Sequence, residues 1–250
     1  VECDELGIAS AFEGAPLELV RGNHSDVEMV ADAMYALECD LYADAFEREG
    51  PFAEVTGLYA TPALRPRVRV KAIHHRRRPI FHTQLSGMGG FSMVGLMAGA
   101  QLQALLPKEV PGIRDIHLSS GACGLLHAII QMTPTHTGWP KNAIQAAFGA
   151  FASLKMVTVV DEDVDIRNAN DVEWAMANRL IPSTGIVRID GAVGLGLNPS
   201  FPGGLGSKLG FDCTRAFPRE EKDDRVAYKN VSLDKYDIAF ADADKQERNR

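Results

Sequence analysis

Residues 154–166 read LKMVTVVDEDVDI. The run Met156-Val157-Thr158-Val159-Val160 is short, continuously apolar and β-branched, and it stops at the acids Asp161, Glu162 and Asp163. A strand without polar alternation has no face meant for water, so it belongs in a sheet covered by helices on both sides. Helical patterns flank it. Before it, an Ala-rich helix is expected over about Lys141 to Leu154. After it, Asn170 is expected to cap the helix DVEWAMANRL, whose apolar stripe is Val172, Ala175, Met176 and Leu180. IRDIHLSSGACGLLHAIIQM, residues 113–132, reads as a strand and hairpin.

Upstream the character differs. From residue 17 to about 82, short apolar or alternating runs (LELV, VRVKAI, PIFHT) are separated by Gly, Pro and charged clusters, a β pattern. Val68, Val70 and Ala72 alternate with Arg67, Arg69 and Lys71, as in a half-buried strand. After Gly87 the stretch GMGGFSMVGLMAGAQLQALLP carries helix formers and is expected to stop at Pro107. The fold class is therefore α+β, with a domain boundary near residues 85–92. Residues 191–210, rich in Gly and Pro, read as a long loop, and the charged end of the chain as a frayed tail.

The net charge of −7 argues against a dedicated nucleic-acid binder. The basic run His74-His75-Arg76-Arg77-Arg78 reads as a solvated hairpin loop; its alternative is a contact for an anionic partner. Cys3, Cys39, Cys123 and Cys213 form no C-x-x-C pair and read as reduced thiols of a cytoplasmic protein. No apolar run reaches the roughly 18–20 residues that cross a bilayer, so no membrane span is expected. The chain begins at Val1, with no Met before Met29, and so reads as processed, trimmed or partial.

Chemistry is concentrated in few places. GGLGSK and GLGLNP are incomplete versions of phosphate and dinucleotide motifs. His127 and His136 lack a second ligand at helical spacing and read as core or surface histidines. The run 161–165 could bind a hard cation, but an acidic strand-to-helix connection suits it better. In EREGPFAEVTG, residues 47–57, the carboxylates Glu49 and Glu54 bracket a Gly-Pro bend. If they converge, with Phe52 shielding them, one would be held protonated and could donate a proton; an ordinary surface turn explains the spacing equally well.

Five segments in order resemble the UbiD family of reversible decarboxylases. EGPFAEVTG is similar to that family's E-G-P-F-G-E-x-x-G, and VVDEDVDIRNANDVEWAMANRL to its V-V-D-x-D-V-D-I followed by D-V-x-W-A and an Arg. GLNPSFPGGLGSKLGFDCTR resembles L-D-P-S and K-M-G-I-D-A-T-R; SAFEGAPLELV resembles A-G-A-x-x-G-x-P-x-x-V; IHHRRRPIFHT resembles I-T-H-R-x-x-P-I-x-x-T. The resemblance implies residues 1–88 as the later part of a split flavin-binding β-barrel, 89–235 as an α/β C-terminal domain that helps dimerise, and 236–250 as the tail.

It further implies a prenylated FMN cofactor with Mn2+ (or Mg2+) and K+ at its phosphate, and reaction of an aromatic or α,β-unsaturated carboxylic acid through a covalent adduct with that flavin. By register, Glu54 is the proton donor, Glu49 tunes a Glu-Arg-Glu network, Glu5 is a metal and cofactor ligand, and Leu195 and Leu197 line the cofactor and substrate pocket. The network's Arg, and the Asn and His that help bind metal, would precede residue 1. The implied partner is thus an upstream portion, as a separate chain or missing segment, in a homo- or hetero-oligomer. Departures are Val30 and Met34 where the family has Pro and Glu, and no Lys before Lys141 in MTPTHTGWPKNA, where a phosphate contact is expected. They leave room for a non-catalytic scaffold or regulatory subunit.

Overall fold

The computed structural model describes residues 4–87 and 92–227. Helix α1, Glu5–Glu13, is capped by Asp4, whose Oδ1 accepts from Leu6 N at 3.2 Å, and ends at Gly14, which takes the left-handed φ of 76° that favours glycine. Strands β1 (Leu19–Arg21) and β2 (Glu28–Val30) pair antiparallel. Strands β3 (Tyr35–Glu49) and β4 (Ala63–His75) form a long antiparallel ribbon, from Tyr35 opposite His75 to Glu49 opposite Ala63.

The ribbon corrects several expectations. Val68 and Val70 are exposed rather than half-buried, as are Leu37, Leu41, Leu64 and Ile73, because no second layer covers the ribbon among the described residues. PIFHT is not a strand, and the basic run is not a hairpin loop: His74 and His75 end β4, and the hairpin that joins β3 to β4 lies earlier, at residues 50–62. Glu38, buried on β3, accepts from the backbone N–H groups of Asn23 and His24, from Ser25 Oγ at 2.9 Å, and faces His74 Nε2 at 2.5 Å. Arg76 pairs with Asp32 at 2.5 Å. With His75 Nδ1 2.8 Å from Arg76 O, three of the five basic residues are already engaged within the chain.

The second part is a five-stranded sheet ordered β5-β6-β7-β9-β8, from Ile113–Leu118, His127–Met132, Met156–Asp161, Leu205–Cys213 and Ile186–Val193. β6, β7 and β9 are parallel, and the edge strands run antiparallel to their neighbours. The run 156–160 is the central strand, as its composition requires. Val157 and Val159 pack with Leu102, Leu106, Ile144 and Ala147, from helices α2 (Ser92–Glu109) and α3 (Trp139–Ala150). Val160 packs on the opposite side with Val172 and Ala175 of α4 (Ala169–Arg179). Each such buried valine contributes about 1.5–3 kcal/mol of transfer free energy.

Helix and loop ends differ from expectation for local reasons. α2 runs through Pro107 to Glu109, since a proline in the last turn gives up one hydrogen bond while Leu106 and Val110 reach the core. The N-cap of α4 is Asn168, whose Oδ1 accepts from the Asn170 backbone N–H at 3.1 Å; Asn170 itself lies in the first turn. Residues 191–210 are loop only in part: the end of β8 and the start of β9 flank a long connection, residues 194–204. Glycines are needed in these strands because Phe201 and Ile144 lie against the backbone: a Cβ on Gly206 would sit 2.6 Å from the Phe201 ring, and one on Gly210 2.2 Å from Ile144. Among the described residues no helix is long and apolar enough to cross a membrane. The middle of the expected domain boundary and the charged tail lie outside the described residues.

Candidate active site

The two sequence-predicted acids sit at either side of the bend. Glu49 closes β3; Gly50 follows with φ 86°, a conformation that removes any side chain but glycine's from easy use. The chain then makes a small hairpin: Ala60 N donates to Phe52 O at 2.8 Å, Glu54 N to Leu58 O at 2.9 Å, and Gly57 N to Glu54 O at 2.9 Å, with Ala53 opposite Tyr59. Glu54 therefore opens a tight turn, and the residue is half-buried. Phe52 does not shield the acids as expected, since its side chain is exposed in the outer arm of that hairpin.

The turn is anchored by the residue after Glu54 instead. Val55 is 1 % exposed and packs with Cys123 and Leu125, with Leu126, Phe151 and Leu195 against them. These residues precede β6 and β7, so the turn carrying Glu54 is fastened to the amino ends of the parallel strands. Leu195 thus lies in the same apolar cluster as the neighbour of Glu54. Its loop is rigid: Phe201, buried beneath Gly194 and Gly206, wedges it, Asn198 Oδ1 accepts from Ser200 N and Oγ at 3.0 and 2.8 Å, and Lys155 Nζ donates to Ser200 Oγ at 2.8 Å. Leu197, two residues on, is exposed. Glu5 is exposed on α1, and no three His, Cys, Asp or Glu side chains are grouped as a metal site among the described residues.

Cations near this end of the sheet were not visible beforehand. Arg65, on β4, brings its Nε to 3.4 Å from Glu49 Oε2, an exposed pair of small energetic weight. Lys208, 3 % exposed on β9, donates to Ala152 O at 2.7 Å and lies over the Phe148 ring at 5.4 Å. Burial lowers its pKa. It ties down the turn whose Phe151 backs the Val55 cluster. A lysine in a Gly-rich run carries no sequence signal of burial, which arises from the pairing of β9 with β7 and the contact to residue 152.

Lys141 is elsewhere. It lies in the first turn of α3, at the carboxyl end of the sheet, about 20 Å from the Val55 end for strands of this length. The acidic run ends at the same carboxyl end and is held by arginines rather than by a cation. Asp161, fully buried, accepts from Arg215 N at 2.6 Å, Arg219 Nη2 at 2.8 Å and Arg179 Nη1 at 3.3 Å. Arg179 grips Asp163 with both Nη atoms, at 2.8 and 2.6 Å, and its guanidinium and that of Arg225 lie 4.8 and 4.0 Å from the Trp174 ring. Burial opposes ionisation of Glu162, yet hydrogen bonds from Arg219 and Thr133 bring its carboxyl down to about 2. His127 is a core histidine: burial pushes it down to about 4, with Nε2 2.8 Å from Thr158 Oγ1. His136 is exposed, its Nδ1 accepting from Gly138 N at 3.2 Å.

Two family models match in sequence: the 3-octaprenyl-4-hydroxybenzoate carboxy-lyase Rift-related domain over residues 1–89 and the C-terminal domain of the same family over 91–213. The chain belongs to the UbiD family. It is 58% identical over 241 residues to the uncharacterized protein in the cooM 5' region of Rhodospirillum rubrum, covering 96% of this chain and 52% of that protein. To the anhydromevalonate phosphate decarboxylase of Methanothermobacter thermautotrophicus it is 34% identical over 229 residues, 91% of this chain and 54% of the relative. Among solved structures it resembles the UbiD-class enzyme HmfF from Pelotomaculum thermopropionicum in complex with FMN, with a TM-score of 0.81 and 36% identity over 96% of this chain and 54% of the other. An evolved dimeric form of HmfF in complex with prFMN matches with a TM-score of 0.77 and 33% identity, over 97% of this chain and 52% of that one. The chain thus spans about half the length of the relatives it matches.

Proposed function

We propose that the chain is one portion of a UbiD-type reversible decarboxylase acting on an aromatic or α,β-unsaturated carboxylic acid. In this reading Glu54 delivers the proton to the carbon that loses carbon dioxide, and Glu49 orients it. The observation that carries the reading is the burial of Val55 against Leu195, Phe151, Cys123 and Leu125. It holds the turn in one position, with an acid beside an apolar wall, from which proton delivery is directed once substrate and cofactor cover it.

A prenylated flavin fits this wall as a half-site: Leu195, half-buried against Val55, offers apolar surface and Glu54 the adjoining acid. When bound, it supplies the electron sink for loss of carbon dioxide. HmfF is seen with FMN and with prFMN, which supports the same cofactor here. A divalent metal fits less completely. Glu5 offers one oxygen donor, and the other donors for Mn2+ or Mg2+, as for K+, come from outside the described residues.

The remainder of the site belongs to an upstream portion of about the same length, supplied as a separate chain or segment. The bare apolar surface of the β3–β4 ribbon supports this, since Leu37, Leu41, Leu64, Val68 and Ile73 need a covering layer. A scaffold role without catalysis rests on the incomplete metal donor set. The discriminating experiment reconstitutes the chain with the upstream portion and prenylated flavin, and follows carbon dioxide release from a panel of aromatic and unsaturated acids. Glu54→Gln is expected to keep the flavin and lose about 10²–10⁴-fold in rate, the usual weight of a general acid. Unchanged turnover in that variant, with wild-type flavin content, would overturn the role.

A further inference from the structure

The carboxyl end of the sheet holds a cavity of about 260 Å³ that the proposed decarboxylation does not use. Open α/β sheets take their ligands at the carboxyl ends of parallel strands, where backbone and helix termini converge. This cavity lies past the ends of β6 and β9, between the start of α3 and α5 (Pro182–Gly185). Pro134, Pro140, Ile181 and Phe217 give it an apolar side.

Its polar side is unusual in having one acid and one base that do not meet. On β9, Gly210 lies under Ile144 of α3, so Asp212, two residues on, faces the same helix. Asp212 Oδ1 accepts from Thr214 N at 3.1 Å and Thr214 Oγ1 at 2.7 Å; Oδ2 has no hydrogen-bond donor among the described residues. Lys141 lines the opposite wall, and no ion pair within 4.0 Å joins it to an acid among the described residues. Burial raises the Asp212 carboxyl, and the Lys141 charge works against that rise from across the space. The two arginines in the wall are already neutralised. Arg179 is committed to Asp161 and Asp163, and Arg215 to Glu162 and Asp224, while the buried Arg215 Nε has no hydrogen-bond partner, with Asp161 Oδ2 3.5 Å away. The free groups facing the space are thus the Lys141 cation, the Asp212 Oδ2 acceptor, Nε2 of His136, whose Nδ1 is taken by Gly138 N, and the hydroxyls of Thr137 and Thr184.

We infer that this cavity binds a small organic anion that carries a hydroxyl group, with the anionic head on Lys141 and the hydroxyl donating to Asp212 Oδ2. Such a ligand supplies what each wall lacks and lays its carbon skeleton on Pro134, Pro140 and Phe217. Binding here is independent of the prenylated flavin and of Glu54, which lie at the other end of the sheet.

Calorimetric titration of the purified chain tests this with three probes: L-lactate, propionate, which lacks only the hydroxyl, and sn-glycerol 3-phosphate, which distinguishes a phosphate from a carboxylate head. L-lactate or sn-glycerol 3-phosphate is expected to bind, and L-lactate more tightly than propionate. Lys141→Met, shown folded by circular dichroism, should weaken binding about tenfold, the scale of one charge-assisted hydrogen bond. Asp212→Ala is a sharper variant. It removes the acceptor, so the preference for L-lactate over propionate should disappear while Lys141 still holds the head group. Absence of binding by both hydroxylated anions, affinity unchanged in Lys141→Met, or propionate binding as tightly as L-lactate would each overturn the proposal.

Discussion

Phe201 shows how much of the candidate site depends on single atoms. Gly194 and Gly206 leave room for its ring, and a Cβ would come within 2.3 Å at Gly194 and 2.6 Å at Gly206, so Gly206→Ala must move the wedge that fixes the Leu195 loop. Overpacking of this kind costs about 1–3 kcal/mol; denaturant titration should show a midpoint shift of that size, and an unchanged midpoint would mean the loop yields freely. His127 sets a pH dependence. Its pKa is depressed to about 4 by burial, so the unfolded chain binds a proton below about 6.5 that the folded chain refuses. Stability from this group is complete above pH 6.5 and falls as the pH drops towards 4, by up to about 3 kcal/mol. Unfolding free energies over that range should decline more steeply in the wild type than in His127→Gln; parallel curves would contradict the assignment.

At the scale of elements, the arginine clasp on the acidic end of β7 explains why VVDEDVD is a structural motif and not a metal loop. Removing Arg179 leaves Asp161, fully buried, with less compensation and frees Asp163, so Arg179→Ala should cost about 3 kcal/mol. Thermal unfolding measures it, and a loss under half that size would mean that Arg215 and Arg219 suffice. Elements with strong local character were legible in the sequence: the apolar β7, the β5–β6 hairpin and the stripe of α4 were all expected from composition and period. What escaped was set by distant contacts. The first part of β9 read as loop because its glycines, Gly206 and Gly210, answer to Phe201 and Ile144. The length of β3 was hidden by its charged residues, which pair across the ribbon, Asp40 with Lys71 at 2.7 Å and Glu47 with Arg67 at 3.7 Å. Glu54 was legible as a candidate through its motif, whereas the residue that fixes it, Val55, has no mark in sequence and is identified only by what it touches.

The whole molecule is uneven in a way that argues for company. Its sheet domain has a closed core on both faces, while the ribbon part carries a row of exposed apolar side chains. A barrel wall without its other strands has this character, and half-length coverage of UbiD relatives agrees with it. The most direct measurement is a native mass spectrum of the protein isolated from cells that make prenylated flavin. The account predicts a complex that contains this chain, a second polypeptide or segment of similar size and the mass of prenylated FMN. A lone chain or homodimer without flavin, stable and with the ribbon still exposed to solvent, would contradict it.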